Sequence, residues 1–252
     1  MGEKLKINVM VYENAAELGE RGAALFAEIY AASVAARGFF TVALSGGKTP
    51  ACVFAALASD AFKGRIDWSR VFLFWGDERN VPITDKDSNF RLTVDALISK
   101  VDMPEGNVHR VRTEMGPKAA AADYEGEILL FFVDQEKSRF VAGVPSFDLV
   151  FLGLGADGHT LSLFPSTAAV VDTERLVTDN FVEKLDAWRV TMTARLVNAA
   201  ENCVFLVSGK DKAAILRDAL DDEGGAKYPA RLIAPVAGSI RWIVDKDAAS
   251  LL

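Results

Sequence analysis

Phe147-Asp148-Leu149-Val150-Phe151-Leu152-Gly153 runs directly into Leu154-Gly155-Ala156-Asp157-Gly158-His159-Thr160-Leu161-Ser162-Leu163-Phe164-Pro165, and this passage decides the fold. Its first half is a short strand apolar on both faces, the pattern of a sheet covered on each side. Its second half is a glycine-rich turn that carries an aspartate and a histidine. Open α/β sheets bind ligands at the carboxyl ends of their strands, which is where this turn falls.

The chain on either side alternates strand and helix. Lys6–Tyr12 reads as a first strand. Asn14 can cap a helix to about Arg37, closed by Gly38. Phe39–Leu44 and Val71–Trp75 are buried strands. Thr49 suits an N-cap and Pro50 a first helical position. Asp87-Ser88 can cap a helix through about Lys100, Asn107–Arg112 is a short strand, and Lys118–Gln135 is a helix. Arg189–Thr193, Cys203–Ser208 and Ile240–Val244 follow as strands, with a helix over Lys210–Asp221 between the last two. The pattern predicts an α/β fold of three layers: a mostly parallel sheet with helices on both faces, and room for a small appended lobe. Asp221–Lys227 reads as an exposed loop too short for a linker, so residues 1–252 are expected to form one domain.

Composition sets the outer limits. Half of the 252 residues are hydrophobic, enough for one sizeable core. No apolar run approaches the roughly 20 residues of a membrane span; Ile128–Val133 and Phe147–Leu154 are core-sized. The first residues lack the apolar region of a signal peptide, and Lys6 breaks the acylation pattern that Gly2 begins, so a cytoplasmic location is expected. Cys52 and Cys203 lie far apart and form no CxxC pair. Both are expected to be buried thiols rather than a disulfide or a zinc site. A net charge of −7 argues against non-specific nucleic-acid binding. It also means that a site for an anion has to be assembled locally from cations and backbone N–H groups.

Four segments carry candidate chemistry. Ser45-Gly46-Gly47-Lys48-Thr49-Pro50 joins a strand to a helix, and its glycines can expose consecutive N–H groups to a phosphate. It is not a P-loop, because Val42 stands where that motif needs glycine. Ala43–Gly47 also resembles a nucleophile elbow with its first glycine replaced, which keeps a serine esterase built on Ser45 as a rival. Trp75-Gly76-Asp77-Glu78-Arg79 places two acids and a cation at a strand end, where burial would be unfavourable without partners. Gly153–Gly158 matches G-x-G-x-x-G formally, but Pro165 stops the helix that a dinucleotide site requires, and Val171–Thr178 is only a weak second strand. What remains is His159, whose ordinary pKa of about 6.5 suits general base work, presented beside Asp157. His109 reads as an ordinary loop or strand-edge residue. Finally, Arg189, Lys210 and Lys212 supply cations at later strand ends.

In this order the segments resemble the 6-phosphogluconolactonase family. The matching runs are Ser45–Pro50, Phe74–Arg79, Asp87-Ser88-Asn89-Phe90-Arg91, Gly153–Pro165 and Arg189–Thr193, continuing through Gly209–Ala213 to Ile240-Arg241-Trp242. The resemblance implies a Rossmann-like sheet shared with glucosamine-6-phosphate deaminases and ribose-5-phosphate isomerases. It implies hydrolysis of 6-phospho-D-glucono-1,5-lactone to 6-phosphogluconate, the second step of the oxidative pentose phosphate pathway. No organic cofactor or metal is implied. The expected partner is a small sugar-phosphate lactone, without nucleic acid or membrane, acting on a monomer or weak homodimer.

On this reading His159 activates water and Asp157 or Asp77 orients it. Arg189 or a loop N–H stabilises the oxyanion. Gly46, Gly47 and Thr49 hold the phosphate, with Lys212 and Arg79 as cations, Ser45 in the same turn and Lys48 an added cation beside it. Two features favour hydrolysis over deamination. Phe164 stands where the sibling deaminases carry a glutamate, and the acidic turn ends in Arg79 where theirs ends in tyrosine. A non-catalytic sugar-phosphate sensor is the third rival.

Overall fold

The computed structural model describes residues 8–221 and 227–252. The readings of Gly2, of Lys6 and of the middle of the Asp221–Lys227 loop lie outside them.

A seven-stranded sheet forms the centre. Its strands are β1 (Asn8–Tyr12), β2 (Phe40–Leu44), β3 (Val71–Trp75), β5 (Val108–His109), β8 (Leu149–Leu152), β11 (Asn202–Val207) and β12 (Ser239–Asp245). Their order is β1-β12-β11-β8-β2-β3-β5, and every pairing is parallel. The inner strands β2, β8 and β11 are buried along their whole length and almost wholly apolar because each face is covered, while the edge strands β1 and β5 are partly exposed. On β2, Phe40, Val42 and Leu44 point into one core and Ala43 into the other. On β8, Leu149 and Phe151 alternate in the same way with Val150 and Leu152. Helices α1 (Ala15–Arg37) and α2 (Lys48–Leu57) cover the first face, through Phe26, Tyr30, Val53 and Phe54. Helices α4 (Pro117–Asp134), α5 (Ala194–Val197) and α6 (Ala213–Leu220) cover the second, through Tyr124, Phe132, Leu196 and Leu216.

Helix α1 behaves as its sequence predicts. The Asn14 side chain accepts from the N–H groups of Ala16 and Glu17, and Gly38 closes the helix in the left-handed region at φ +91°. Helix α2 differs from expectation. It starts at Lys48, with Gly47 as N-cap at φ +105°, so Thr49 and Pro50 lie inside the first turn. The turn reverses direction at a conformation only glycine adopts readily, and the helix begins one residue later.

The appended lobe is a three-stranded antiparallel sheet of β4 (Asp77–Arg79), β10 (Ala187–Met192) and β9 (Val177–Val182). Arg189–Thr193, read from the sequence as one more strand of the parallel sheet, belongs here instead. Met192 N–H donates to the Gly76 carbonyl, and Gly76 N–H to that of Leu44, so the lobe is bonded to the point where β3 ends. The turn read at Asp77–Arg79 is a strand. So is Val177–Val182, whose Asn180 is buried because its amide donates to the Ser162 carbonyl and to Thr167 Oγ1. The Asn107–Arg112 strand shortens to two residues at the sheet edge. Cys203 is buried, and burial pushes its thiol up to about 12. Cys52 is only half-buried, since helix α2 turns it toward the surface.

One buried carboxylate ties the sheet together. Asp148, 2 % exposed, accepts from Thr41 N–H at 2.8 Å and Thr41 Oγ1 at 3.0 Å, and pairs with the Arg37 guanidinium. Its own carbonyl accepts from Asn202 Nδ2 at 2.9 Å. It therefore links the starts of β2, β8 and β11. Burial raises its carboxyl, and the Thr41 and Arg37 contacts oppose that shift. Asp148→Ala removes the close partner of the Arg37 guanidinium, leaving it only the more distant Glu201, and leaves the Thr41 N–H and hydroxyl without their acceptor. It is expected to lower the unfolding free energy by about 3–5 kcal/mol, read as a fall in the urea midpoint at unchanged slope.

Candidate active site

Strand order reverses between β2 and β8. From β2 the chain steps outward to β3 and β5, then returns to β8 and proceeds the other way through β11 and β12. The loops that leave β2 and β8 therefore diverge and open a crevice at their carboxyl ends. Two cavities open there.

The first, of about 380 Å³, is lined by Gly46, Gly47, Lys48, Thr49 and Pro50 after β2, by Gly153 and Leu154 after β8, and by Ser208, Asp211 and Lys212 after β11. The N-terminus of α2 opens beside it, so free N–H groups and two lysines meet at one place. Gly46 lies so close to Asn89 that a Cβ would sit 1.8 Å from its Oδ1. Ser45 does not line this cavity. It is buried, and its hydroxyl is directed to the Gly46 carbonyl at 3.4 Å, with no bond to His159.

The second, of about 450 Å³, contains Asp77, Arg79, Asp157, His159, Leu161, Phe164, Lys184 and Arg189 among its walls. The glycine-rich turn is wound tightly around His159. Gly155 N–H donates to the His159 carbonyl at 2.8 Å, and a Cβ on Gly155 would fall 2.0 Å from the imidazole. Asp157 Oδ1 lies 2.5 Å from His159 Nδ1 and accepts from His159 N–H at 3.2 Å. The imidazole stacks on Phe164 with centroids 4.0 Å apart. With Nδ1–H assigned to Asp157, the lone pair is on Nε2.

Of the two acids that the sequence left open, it is Asp157 that bonds the imidazole. Asp77 accepts from Ser162 Oγ at 2.7 Å. Burial lowers the His159 pKa, while Asp157 and Asp77 pull it upward and Lys184 adds to the lowering. Burial alone would raise the Asp157 carboxyl, but bonds from Lys184 and His159 outweigh it and hold it at about 2. Near neutrality the pair is thus a carboxylate and a neutral imidazole.

Arg79, expected beside the glycine turn as a cation, lines the His159 cavity. Strand register puts it directly opposite Arg189. Like charges in that position repel, and burial together with Arg79 lowers the Arg189 pKa. Among the described residues neither guanidinium has an ion pair. Arg79 donates to the Asp87 carbonyl at 2.7 Å, and Arg189 to that of Trp188 at 3.2 Å. Asp77, Glu78 and Asp87 act on Arg189 from a distance, and two guanidinium groups without a direct ion pair leave donors available to an anion.

Glu78 is architectural. Its carboxylate accepts N–H groups of Arg79, Asn89 and Phe90 at 2.7–2.8 Å and the Ser88 hydroxyl at 3.2 Å. It thereby seats the start of α3 (Asn89–Ala96). Burial raises its carboxyl against those four donors. Sequence reasoning missed three participants. Asn89, which donates to the Asp77 carbonyl at 2.9 Å, stood in a quoted run without a role. Ser162 lay in the histidine segment, also without one. Lys184 has no motif around it. His109 is a strand-edge residue as read, with Nδ1 2.8 Å from Glu127. Among the described residues no cluster of His, Cys, Asp and Glu is arranged to hold a metal ion, and no helix is long and apolar enough to cross a membrane.

Residues 13–242 match the family model described as glucosamine-6-phosphate isomerases/6-phosphogluconolactonase. A 6-phosphogluconolactonase of Synechocystis is 41% identical over 218 residues, 86% of each chain. A probable 6-phosphogluconolactonase 1 of Arabidopsis thaliana is 34% identical over 256 residues, covering 97% of this chain and 93% of that one. The structure of the 6-phosphogluconolactonase from Trypanosoma cruzi superposes with a TM-score of 0.87 at 28% identity, over 99% of this chain and 98% of the other.

Because Asp157 stabilises the imidazolium, Asp157→Asn is expected to lower the His159 pKa further. NMR titration of His159 checks this: its midpoint moves to lower pH.

Proposed function

For a chain that belongs to the glucosamine-6-phosphate isomerase/6-phosphogluconolactonase family, we propose hydrolysis of 6-phospho-D-glucono-1,5-lactone to 6-phospho-D-gluconate. The observation that carries this reading is the His159–Asp157 pair, with its Nε2 lone pair in a cavity shared with two arginines that have no direct ion pair among the described residues. The names of the relatives support the same substrate.

The substrate phosphate is held by the N–H groups of Gly46, Gly47 and Thr49, with Lys48 and Lys212 supplying charge. Fixing that end orients C1 over His159. Nε2 takes a proton from water as the water oxygen bonds to C1, and the carbonyl pair moves onto its oxygen. Arg189, with Arg79 opposite, stabilises that oxyanion. When the tetrahedral species collapses, the bond from C1 to the ring oxygen breaks and His159 returns the proton to the departing oxygen, which becomes the C5 hydroxyl. Lactones of this kind open spontaneously, so one general base and good positioning suffice. Neither a nucleophile nor a metal is needed in the scheme. The buried Ser45 hydroxyl, turned toward a carbonyl, fits poorly with the serine esterase alternative. The apolar Phe164 ring under His159 fits poorly with a deaminase, whose resemblance calls for a carboxylate at that place.

His159→Ala is expected to lower kcat about 10²–10⁴-fold with KM little changed, in an assay coupled to a dehydrogenase that consumes 6-phosphogluconate. Full kcat in this variant would sink the mechanism. Lys212→Ala is expected to act the other way, raising KM more than it lowers kcat. Ammonia release from glucosamine 6-phosphate by the wild type would favour the deaminase instead.

A further inference from the structure

Lys184 has a place in the structure that the lactonase scheme leaves without a role. It sits in the single turn Glu183–Leu185 that closes the β9–β10 hairpin, with Asp186 in the left-handed region at φ +46°. Its ammonium bonds Asp157 Oδ2, while the other oxygen, Oδ1, serves the imidazole. Both oxygens of Asp157 are therefore fixed from opposite sides. The same ammonium lies 4.6 Å from the centroid of Phe164, the ring on which His159 stacks. Lys184 thus reaches the imidazole through both of its neighbours.

The pair also stands on a boundary. Asp157, Phe164 and Lys184 line the His159 cavity and, at the same time, a larger cavity of about 680 Å³ on the other side, walled by Arg175, Phe181 and Trp188. Without its lysine, Oδ2 of Asp157 is left facing that open space, so the carboxylate and the imidazole bonded to its Oδ1 are free to turn as a pair. The Lys184 side chain is 51 % exposed, and so exposed an ion pair contributes little to stability. Its value is in the geometry it enforces.

We propose that Lys184 is a positioning residue, whose ammonium holds the Asp157 carboxylate in the orientation that aligns His159 for water activation. The activity arm of this inference rests on the lactonase reading. The charged groups facing His159 are Asp157 on its own turn, Asp77 and Arg79 on β4, Arg189 on β10 and Lys184 on the hairpin. Asp157 and Asp77 favour the imidazolium, and Lys184 opposes it. Removing Lys184 deletes that repulsion and leaves the negative charge of Asp157 less neutralised. Both effects raise the His159 pKa, the opposite of the Asp157→Asn shift.

The test compares wild type, Lys184→Met and Lys184→Arg. NMR titration reports the His159 pKa whether or not the protein turns over lactone, and steady-state kinetics report kcat and KM against pH. In Lys184→Met the His159 pKa and the acid limb of kcat move to higher pH. Its plateau kcat drops on the order of 10-fold to 100-fold, with KM and the melting temperature close to wild type. Lys184→Arg, which keeps a cation on Asp157, restores both readouts. An unshifted His159 pKa in Lys184→Met, or a KM effect with kcat intact, overturns the proposal; the latter would make Lys184 a substrate contact. If the wild type opens no lactone while the NMR shift is present, the lactonase reading fails and the positioning of His159 by Lys184 stands.

Discussion

The parallel pairing of β2 with β8, anchored by the buried Asp148 carboxylate, is the contact on which the rest depends. Two strands separated by more than a hundred residues are brought side by side, and the chain moves away from them in opposite directions. Their loops cannot close over each other, so a crevice exists there whatever the loops contain. Asp148 fixes this junction from the far end of the strands, with Arg37 closing its charge and Asn202 extending the link to β11. A carboxylate in that position is tolerated because Arg37 of α1 and Thr41 of β2 both bond it.

The crevice separates two tasks. Backbone N–H groups and flexible lysines meet in the glycine-turn cavity, a setting for a phosphate that needs charge and little directionality. Planar arginines and an aligned imidazole meet in the other, where direction matters more. A chain with net charge −7 builds both by local concentration of cations. The repulsion between Arg79 and Arg189 is part of that arrangement, with Asp77, Glu78 and Asp87 offsetting it at Arg189.

The small antiparallel sheet supplies most of the charged groups around His159. It carries Asp77 and Arg79 on one strand, Arg189 on another and Lys184 in its turn. Bonds from Met192 to Gly76 and from Gly76 to Leu44 register it against the main sheet. A displacement of this lobe would move the arginines and the partner of Asp157 as one body relative to His159.

The sequence by itself determined the parallel sheet, because strands apolar on both faces can be stable only under two layers of helix. It also determined the caps of α1, the glycine turn and the His159 segment, because each depends on neighbours a few residues away. Only the tertiary structure decided the roles that depend on distant approach. Arg189 and Arg79 are legible as candidate cations, but that they stand opposite each other beside His159 depends on the pairing of β4 with β10. Ser45 sits in a phosphate-like turn, yet the packing around it buries its hydroxyl. Asp157 and Asp77 are equivalent candidates on paper; Ser162 occupies one and His159 the other. Lys184 has no local pattern at all, since its partner lies 27 residues earlier in the chain and meets it only when the hairpin folds over the glycine-rich turn.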